Sequence, residues 1–196
     1  DRVSARNGLG LPLNRPLVLF VGRLTAVKRP DRLIEAMVLV LERRSDVVLA
    51  IAGEGELLEE TRSRAEPLGE SVRFLGWQRD IAGLYAAADC MVLTSDNEGM
   101  PVTLIEAAMA GVPSVTTDVG SAREVVLDGV TGLVVAPDAA AVADGLVRLL
   151  DNDLRHRMGA AARARAEAEF DTRRLITDHE SLYERLVAAN RQPDTG

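Results

Sequence analysis

The chain has 196 residues, 47% hydrophobic and 27% charged, and its 23 Lys and Arg against 30 Asp and Glu leave a net charge of −7. That balance excludes an intrinsically disordered chain, and the acidity argues against a protein that coats nucleic acid while leaving room for a local basic pocket for phosphates. One cysteine, Cys90, excludes an internal disulfide and any multi-cysteine metal site, and His156 and His179 leave little for a histidine-based one.

Residues 1–16 are rich in Arg, Asn, Gly, Leu and Pro without clear periodicity and read as a linker ending at Pro16. Beyond it, short apolar runs alternate with longer amphipathic stretches. The runs are Leu17–Val21, Val47–Ala52, Val72–Leu75, Cys90–Leu93, Ser114–Thr117 and Gly132–Val135. Most are rich in Val, Leu or Ile, as expected of strands buried on both faces of a parallel sheet. Between them, Asp31–Arg44 places Leu33, Ile34, Met37, Val40 and Leu41 on one helical face behind a Pro30-Asp31 start signal. Further helices are expected over Glu56–Leu68, Asp80–Ala87, Pro101–Ala110 and Ser121–Leu127. Pro101 stands in a first turn, where its lack of an N–H breaks no helical bond.

From Ala139 no strand pattern remains. Helices are expected over Ala139–Leu150, Leu154–Glu169 and Thr172–Ala189, and the tail Arg191–Gly196 should fray. The last helix carries Leu175, Ile176, His179, Leu182, Tyr183, Leu186 and Val187 near helical spacing, a face expected to pack mostly on its own domain, with His179 as a packing or capping residue. This order predicts an α/β fold: a Rossmann-like, doubly wound parallel sheet of about six strands with right-handed crossovers and C-terminal helices. The domain plan is a linker over 1–16, one folded domain over 17–190 and a disordered tail over 191–196. No apolar run reaches the roughly 20 residues that span a bilayer. The start, Asp1-Arg2-Val3-Ser4, has no signal-peptide pattern and no Met, so the chain is expected to be a piece of something longer.

In an open parallel sheet ligands bind at the carboxyl ends of the strands, near the switch point of strand order. After the first run comes Gly22-Arg23-Leu24-Thr25-Ala26-Val27-Lys28. Arg23 and Lys28 are either solvated surface cations or a clamp for a diphosphate, the arginine as a planar fork and the lysine as a point charge. After the second, Gly53-Glu54-Gly55 suits a tight turn or a close ligand. Glu54 also stands where a dehydrogenase would hold the ribose of NAD, but no G-x-G-x-x-G follows the first run. After the fourth, Gly99 and Pro101 open a helix whose free N–H groups near Met100, Val102 and Thr103 form an anion site with the helix dipole. Glu106 is the odd residue in that helix, among Ala107, Ala108 and Ala110. A buried carboxylate without donors costs on the order of 3 kcal/mol or more. It therefore reaches water or an arginine, or it accepts from ligand hydroxyls. Glu98 by itself reads as a carboxylate stabilising a helix N-terminus.

Glu98 and Glu106, with seven residues between them, resemble the E-x7-E motif of retaining GT-B-fold glycosyltransferases of the glycogen-synthase-like and mannosyltransferase-like group. The surroundings are similar too: Glu98-Gly99-Met100-Pro101 before the helix, and Glu106-Ala107-Ala108-Met109-Ala110-Gly111-Val112-Pro113 within and after it. So are Val21-Gly22-Arg23-Leu24 with Lys28, Ile51-Ala52-Gly53-Glu54-Gly55, Phe74-Leu75-Gly76, Asp118-Val119-Gly120-Ser121 and Asp128-Gly129-Val130-Thr131-Gly132. The resemblance covers roughly residues 9–190.

The resemblance implies one half of a GT-B fold, with residues 17–190 binding a nucleotide-sugar donor. It implies an acceptor-binding N-terminal half of ~150–200 further residues. Arg23 and Lys28 would then neutralise the donor diphosphate and stabilise the leaving nucleoside diphosphate, with Glu98 as the third catalytic group, contacting donor-sugar hydroxyls. Gly22, Gly99, Met100, Pro101, Val102 and Thr103 would line the donor, with backbone amides from Gly99, Met100, Val102 and Thr103. Glu106 would accept from ribose hydroxyls, and Trp77, in Gly76-Trp77-Gln78, would sit by the base or serve as a surface or packing aromatic at a strand end. No cofactor and no metal are expected; Asp96-Asn97-Glu98 resembles a metal motif only superficially. The implied partners are the donor, the other half, and a glycan, lipid or small-molecule acceptor, but no nucleic acid. The implied place is the cytoplasm, at the inner membrane face if the other half associates there. Alternatives are a GT-B-fold sugar-nucleotide epimerase, a non-catalytic Rossmann-like interaction domain and, disfavoured by its first loop, an NAD-binding protein.

Overall fold

The computed structural model describes residues 1–190; the fraying expected of Arg191–Gly196 lies outside the described residues. Six strands, β1 (Leu17–Val21), β2 (Val48–Ala52), β3 (Val72–Gly76), β4 (Cys90–Leu93), β5 (Ser114–Thr117) and β6 (Gly132–Val135), form one sheet in the order β3-β2-β1-β4-β5-β6. Every pairing is parallel. The order reverses between β1 and β4, which opens a crevice at their carboxyl ends.

Strand alternation divides the core. Val18, Phe20, Leu49, Ile51, Val92 and Val115 point to one face, covered by α2 (Pro30–Arg43), α3 (Leu58–Ala65) and α7 (Ala139–Leu149). Leu17, Leu19, Val48, Ala50, Met91 and Leu93 point to the other, covered by α4 (Ile81–Ala87), α5 (Val102–Met109) and α6 (Ala122–Val125). This double burial is why the strands read as continuous apolar runs. α8 (Asn152–Glu169) packs its Ala162 and Ala166 against Ala108 of α5.

Three local expectations change. The helix expected over Glu56–Leu68 ends at Ala65 and continues as a 3₁₀ segment, Glu66–Ser71, because Pro67 has no N–H to offer the preceding turn. Residues 2–8, expected to be part of an irregular linker, form a short helix, α1 (Arg2–Gly8), capped by the Asp1 carboxylate on the Ser4 N–H. α1 is anchored by Arg6, which is 1% exposed. Its guanidinium donates to the carbonyls of Ala87, Pro12, Leu13 and Arg15 and to Asp89 at 2.8 Å. Asp89 is buried as well, and accepts from the Leu17 N–H at 2.7 Å, which ties the segment to the start of the sheet.

The third change concerns α9 (Thr172–Asn190). Its apolar face was expected to pack on this domain, yet Leu175, Ile176, Leu182, Tyr183, Leu186 and Val187 are all exposed. The helix starts beyond a break at Phe170–Asp171, which turns it away from the core, and Arg174 bonds back to the Ala168 carbonyl at 2.9 Å. His179 does not pack on the core or cap a helix: it is exposed, its ring centroid lies 6.4 Å from that of Tyr183, and its Nδ1 lies 2.7 Å from the Leu175 carbonyl in the preceding turn.

Candidate functional site

The loops after β1 and β4 meet across the switch point. After β1 the chain keeps close to β2: the Gly22 N–H donates to the Ala52 carbonyl at 3.0 Å and the Leu24 N–H to the Glu54 carbonyl at 2.9 Å. At Gly53, with φ 141°, a Cβ would stand 1.9 Å from the Gly22 carbonyl oxygen, so only glycine allows the two loops this approach. Leu24, fully buried, pins the middle of the loop. A 3₁₀ turn, Ala26–Lys28, then brings Lys28 over β4.

There Lys28 Nζ lies 2.5 Å from Glu98 Oε1, and the Ser95 hydroxyl donates to the same oxygen at 2.5 Å. The Glu98 side chain is only 8% exposed and that of Lys28 23%. Glu98 is thus no simple carboxylate at a helix end; it is one member of a sheltered ion pair that joins the two loops. Gly120 makes room for it, since a Cβ there would stand 1.8 Å from the Glu98 carbonyl oxygen, and φ 49° suits glycine.

A second set of bonds braces the same junction. Arg29 has φ 51°, the one positive value at a non-glycine residue among the described residues. Its guanidinium holds Asp31 at 2.7 Å and Asp96 at 3.0 Å, which offsets the backbone strain. Arg32, on the buried side of α2, donates to the Thr94 carbonyl at 2.7 Å and to Asp96 at 2.7 Å. The Thr94 hydroxyl bonds the Lys28 carbonyl at 2.9 Å, and the Asp96 N–H bonds the Val27 carbonyl at 2.8 Å. From β5, the Thr117 hydroxyl donates to the Ser95 carbonyl at 2.7 Å. The guanidinium of Arg32, and then that of Arg29, hold the Asp96 carboxyl below the ordinary carboxylate range, and Arg29 does the same to Asp31.

Beside this junction lies a crevice of about 440 Å³ lined by Gly22, Arg23, Glu54, Trp77, Gln78 and Leu84 among others. Arg23 and Trp77 are both exposed, Trp77 by 70%, so Trp77 is a surface aromatic on a crevice wall and not a core residue. The Gln78 amide donates to the Leu75 carbonyl at 2.6 Å. Gly99, Met100 and Val102 are exposed, Thr103 is half-buried and Pro101 is buried at the start of α5. The first N–H groups of an α-helix have no acceptor within the helix, which leaves this end suited to an anion.

Glu106 is half-buried one turn further along α5. It reaches neither an arginine nor a lone burial: the Tyr85 hydroxyl of α4 donates to its Oε2 at 2.9 Å and lies 3.1 Å from the Thr103 carbonyl oxygen. The alternatives read from the sequence, water, an arginine or ligand hydroxyls, did not include this tyrosine. Glu106 is not among the residues that line the crevice; its tyrosine partner stands next to Leu84, which is.

The structure thus brings Lys28 to Glu98 and sets Gly22, Arg23 and Trp77 on one crevice. Sequence reading missed Ser95, Tyr85, Thr117 and the Arg29, Arg32 and Asp96 brace. A signal existed for Arg32, an arginine beside the apolar Leu33 and Ile34 of a core-facing helix. Nothing local marked the Tyr85 and Thr117 hydroxyls, whose partners lie on other elements, and Ser95 carries no signal beyond standing three residues before Glu98.

A strand order of 3-2-1-4-5-6 with this junction at its reversal admits several Rossmann-like families, and comparison decides among them. The family described as glycosyl transferases group 1 matches residues 1–165. The chain belongs to this glycosyltransferase family. It is 39% identical over 170 residues to the D-inositol 3-phosphate glycosyltransferase of Xylanimonas cellulosilytica, covering 83% of this chain and 41% of that one. To the phosphatidyl-myo-inositol mannosyltransferase of Mycobacterium leprae it is 36% identical over 191 residues, covering 95% of this chain and 51% of the relative. Among solved structures, HepE of Anabaena in complex with UDP and glucose superposes with a TM-score of 0.83 and 26% identity over 94% of this chain and 51% of HepE. The chain spans about half the length of the curated glycosyltransferases it matches. The expected α/β fold of six parallel strands, as in one half of a GT-B glycosyltransferase, is what the glycosyltransferase domain has. Among the described residues no group of three or more His, Cys, Asp or Glu is placed to hold a metal ion, and no helix is long and apolar enough to cross a membrane.

Proposed function

We propose that this chain is the donor-binding half of a retaining glycosyltransferase and holds a nucleoside-diphosphate sugar over the β1–β4 switch point. The observation that carries this reading is the Lys28–Glu98 contact at 2.5 Å, which sets a cation and a carboxylate side by side on the loops after β1 and β4, the first of which also carries Gly22 and Arg23 of the crevice wall. HepE, a relative in fold, was crystallised with UDP and glucose, and both curated relatives are named transferases.

In this reading Arg23 and Lys28 neutralise the diphosphate and stabilise the leaving nucleoside diphosphate as the glycosidic bond breaks. These cations take the role that a metal would otherwise have, so no metal is needed. The diphosphate draws Lys28 away from Glu98, whose carboxylate then accepts from donor-sugar hydroxyls while Ser95 keeps it in place. Amides at Gly99, Met100, Val102 and Thr103 complete the cradle, Glu106 meets the ribose, and the base lies by Gly76, Trp77 and Gln78. A second half of the same polypeptide supplies the acceptor, a glycan, lipid or small molecule, and covers the apolar face of α9. The reaction belongs to the cytoplasm, where nucleotide sugars are made.

Calorimetric titration of the full polypeptide with UDP-, GDP- and ADP-sugars tests the proposal. One of them should bind at micromolar to millimolar concentration, and Arg23→Ala should weaken that binding about tenfold or more, the loss of one charge-assisted contact. A folded protein that binds none of the three, with or without its sugar, refutes it.

A further inference from the structure

Among the described residues the Glu106 carboxylate has one side-chain donor, the Tyr85 hydroxyl. Tyr85 is 3% exposed, and its hydroxyl stands 2.9 Å from Glu106 Oε2 and 3.1 Å from the Thr103 carbonyl oxygen. A phenol carries one hydrogen, and of two acceptors the charged one holds it more strongly. Burial first, and the neighbouring carboxylate second, push the Tyr85 hydroxyl well above the ordinary range, so it stays a donor throughout the physiological span.

The ring is fixed independently of this bond. α4 is capped by the Asp80 carboxylate on the Gly83 N–H at 2.9 Å, and Leu84, Tyr85 and Ala87 are all buried in the core beneath α4 and α5. A carboxylate on a flexible glutamate can rotate; one whose Oε2 is held by a rigid phenol cannot do so freely. Oε1 is then the oxygen without a protein donor among the described residues. The residue before Tyr85, Leu84, lines the crevice together with Arg23 and Trp77, so α4 carries both a crevice residue and the phenol that orients Glu106.

We propose that Tyr85 is a positioning residue for nucleotide binding: it clamps Glu106 by one oxygen so that the other is presented to the ribose hydroxyls. The inference rests on the nucleotide-site reading above and adds to it a residue that acts through Glu106. A merely structural tyrosine would fill the same volume and satisfy its own hydroxyl, with no effect on how the ribose is read.

The experiment is a binding cycle on the full polypeptide. UDP, GDP and ADP are each titrated against their 2′-deoxy and 3′-deoxy counterparts, in the wild type, Tyr85→Phe, Glu106→Gln and the double variant, with thermal unfolding of each. The wild type should prefer the ribose form of its nucleotide by about 10-fold or more, as for a hydrogen bond to a charged group. Tyr85→Phe should cut that preference at least about fivefold and leave the deoxy affinities within about twofold, and the double variant should lose no more preference than Glu106→Gln. A Tyr85→Phe protein that keeps the wild-type preference overturns the proposal, even if its melting temperature falls. So does a Tyr85→Phe protein that loses ribose and deoxy affinity equally. If the variant does not fold, the proposal stands on Tyr85→His, whose ring retains an N–H donor and should recover part of the preference; no recovery in a folded Tyr85→His overturns it. A wild type that binds a nucleotide without preferring ribose removes the task assigned to Glu106, and the proposal with it. A wild type that binds no nucleotide refutes the site reading itself.

Discussion

Arg32→Ala should loosen the junction of the two site loops and cost a definite amount of stability. The Arg32 side chain is 7% exposed and donates to the Thr94 carbonyl at 2.7 Å and to Asp96 at 2.7 Å. Removing it leaves a buried carbonyl without its donor, which costs about 1–3 kcal/mol. The ion pair itself adds less, under about 1 kcal/mol, because Asp96 is half in water and keeps Arg29. The void left by the arginine stem adds roughly 1 kcal/mol. The total is about 2–4 kcal/mol, and in a domain of this size that is a fall in melting temperature on the order of 10 °C.

The same variant changes the response to acid. The folded Asp96 carboxyl lies below its ordinary value through Arg32 first and Arg29 second. A depressed carboxylate contributes stability that is present above about pH 4 and is lost as pH falls through the folded value. The wild type should therefore lose stability below about pH 4 more steeply than Arg32→Ala, whose Asp96 retains only Arg29. Scanning calorimetry from pH 7 to about pH 3 measures both effects. A melting temperature within about 1 °C of the wild type, or parallel acid profiles, would show that the brace bears no stability.

Three further outcomes are expected. Ser95→Ala should leave nucleoside-diphosphate affinity within about twofold of the wild type while lowering turnover of the full enzyme about tenfold or more, since the hydroxyl holds Glu98 and not the diphosphate; equal losses in both would argue for a purely structural serine. Gly120→Ala should destabilise the domain by about 3 kcal/mol or more, because the new methyl would meet the Glu98 carbonyl at 1.8 Å and φ 49° disfavours alanine; an unchanged denaturant midpoint would contradict this. Asp89→Asn should cost about 3–5 kcal/mol by stranding the buried Arg6, and should expose residues 1–16 to protease before the rest of the chain; a digestion pattern like that of the wild type counts against it.

Strands buried on both faces advertise themselves, and β1, β4, β5 and β6 have the limits that the apolar runs gave them. The candidate cations and carboxylates were legible for a related reason. A charged residue directly after such a run has to lie at the sheet's carboxyl edge, and Lys28 and Glu98 meet there. What escaped was tertiary. α1 has seven residues and no apolar face, so its anchor, a single arginine bonded to four carbonyls and a carboxylate, has no periodic signature. The partners of Glu98 and Glu106 are short or distant hydroxyls. Ser95 is three residues from Glu98, but Tyr85 is twenty-one residues from Glu106 and on another helix. α9 failed in the opposite direction: its periodicity is real, and periodicity reports that a face wants cover without saying which body provides it.

The ion pair at the centre of the site also constrains how a donor could be taken up. Lys28 and Glu98 are sheltered, and each neutralises the other, so neither is an unpaired buried charge. An incoming diphosphate would exchange one anionic partner of Lys28 for another and leave Glu98 with the Ser95 hydroxyl alone. The exchange is nearly even for the lysine, so net attraction for the phosphates has to come from Arg23, which is exposed, and from the open end of α5. It follows that removing Arg23 should weaken diphosphate affinity and its salt dependence more than removing Lys28 does, whereas removing Lys28 should tell chiefly on the step in which charge builds up on the leaving phosphate. Titrations of Arg23→Ala and Lys28→Ala across ionic strength, set beside their turnover in the full enzyme, separate the two roles, and equal salt slopes for both would mean that the pair does not open as ligand arrives.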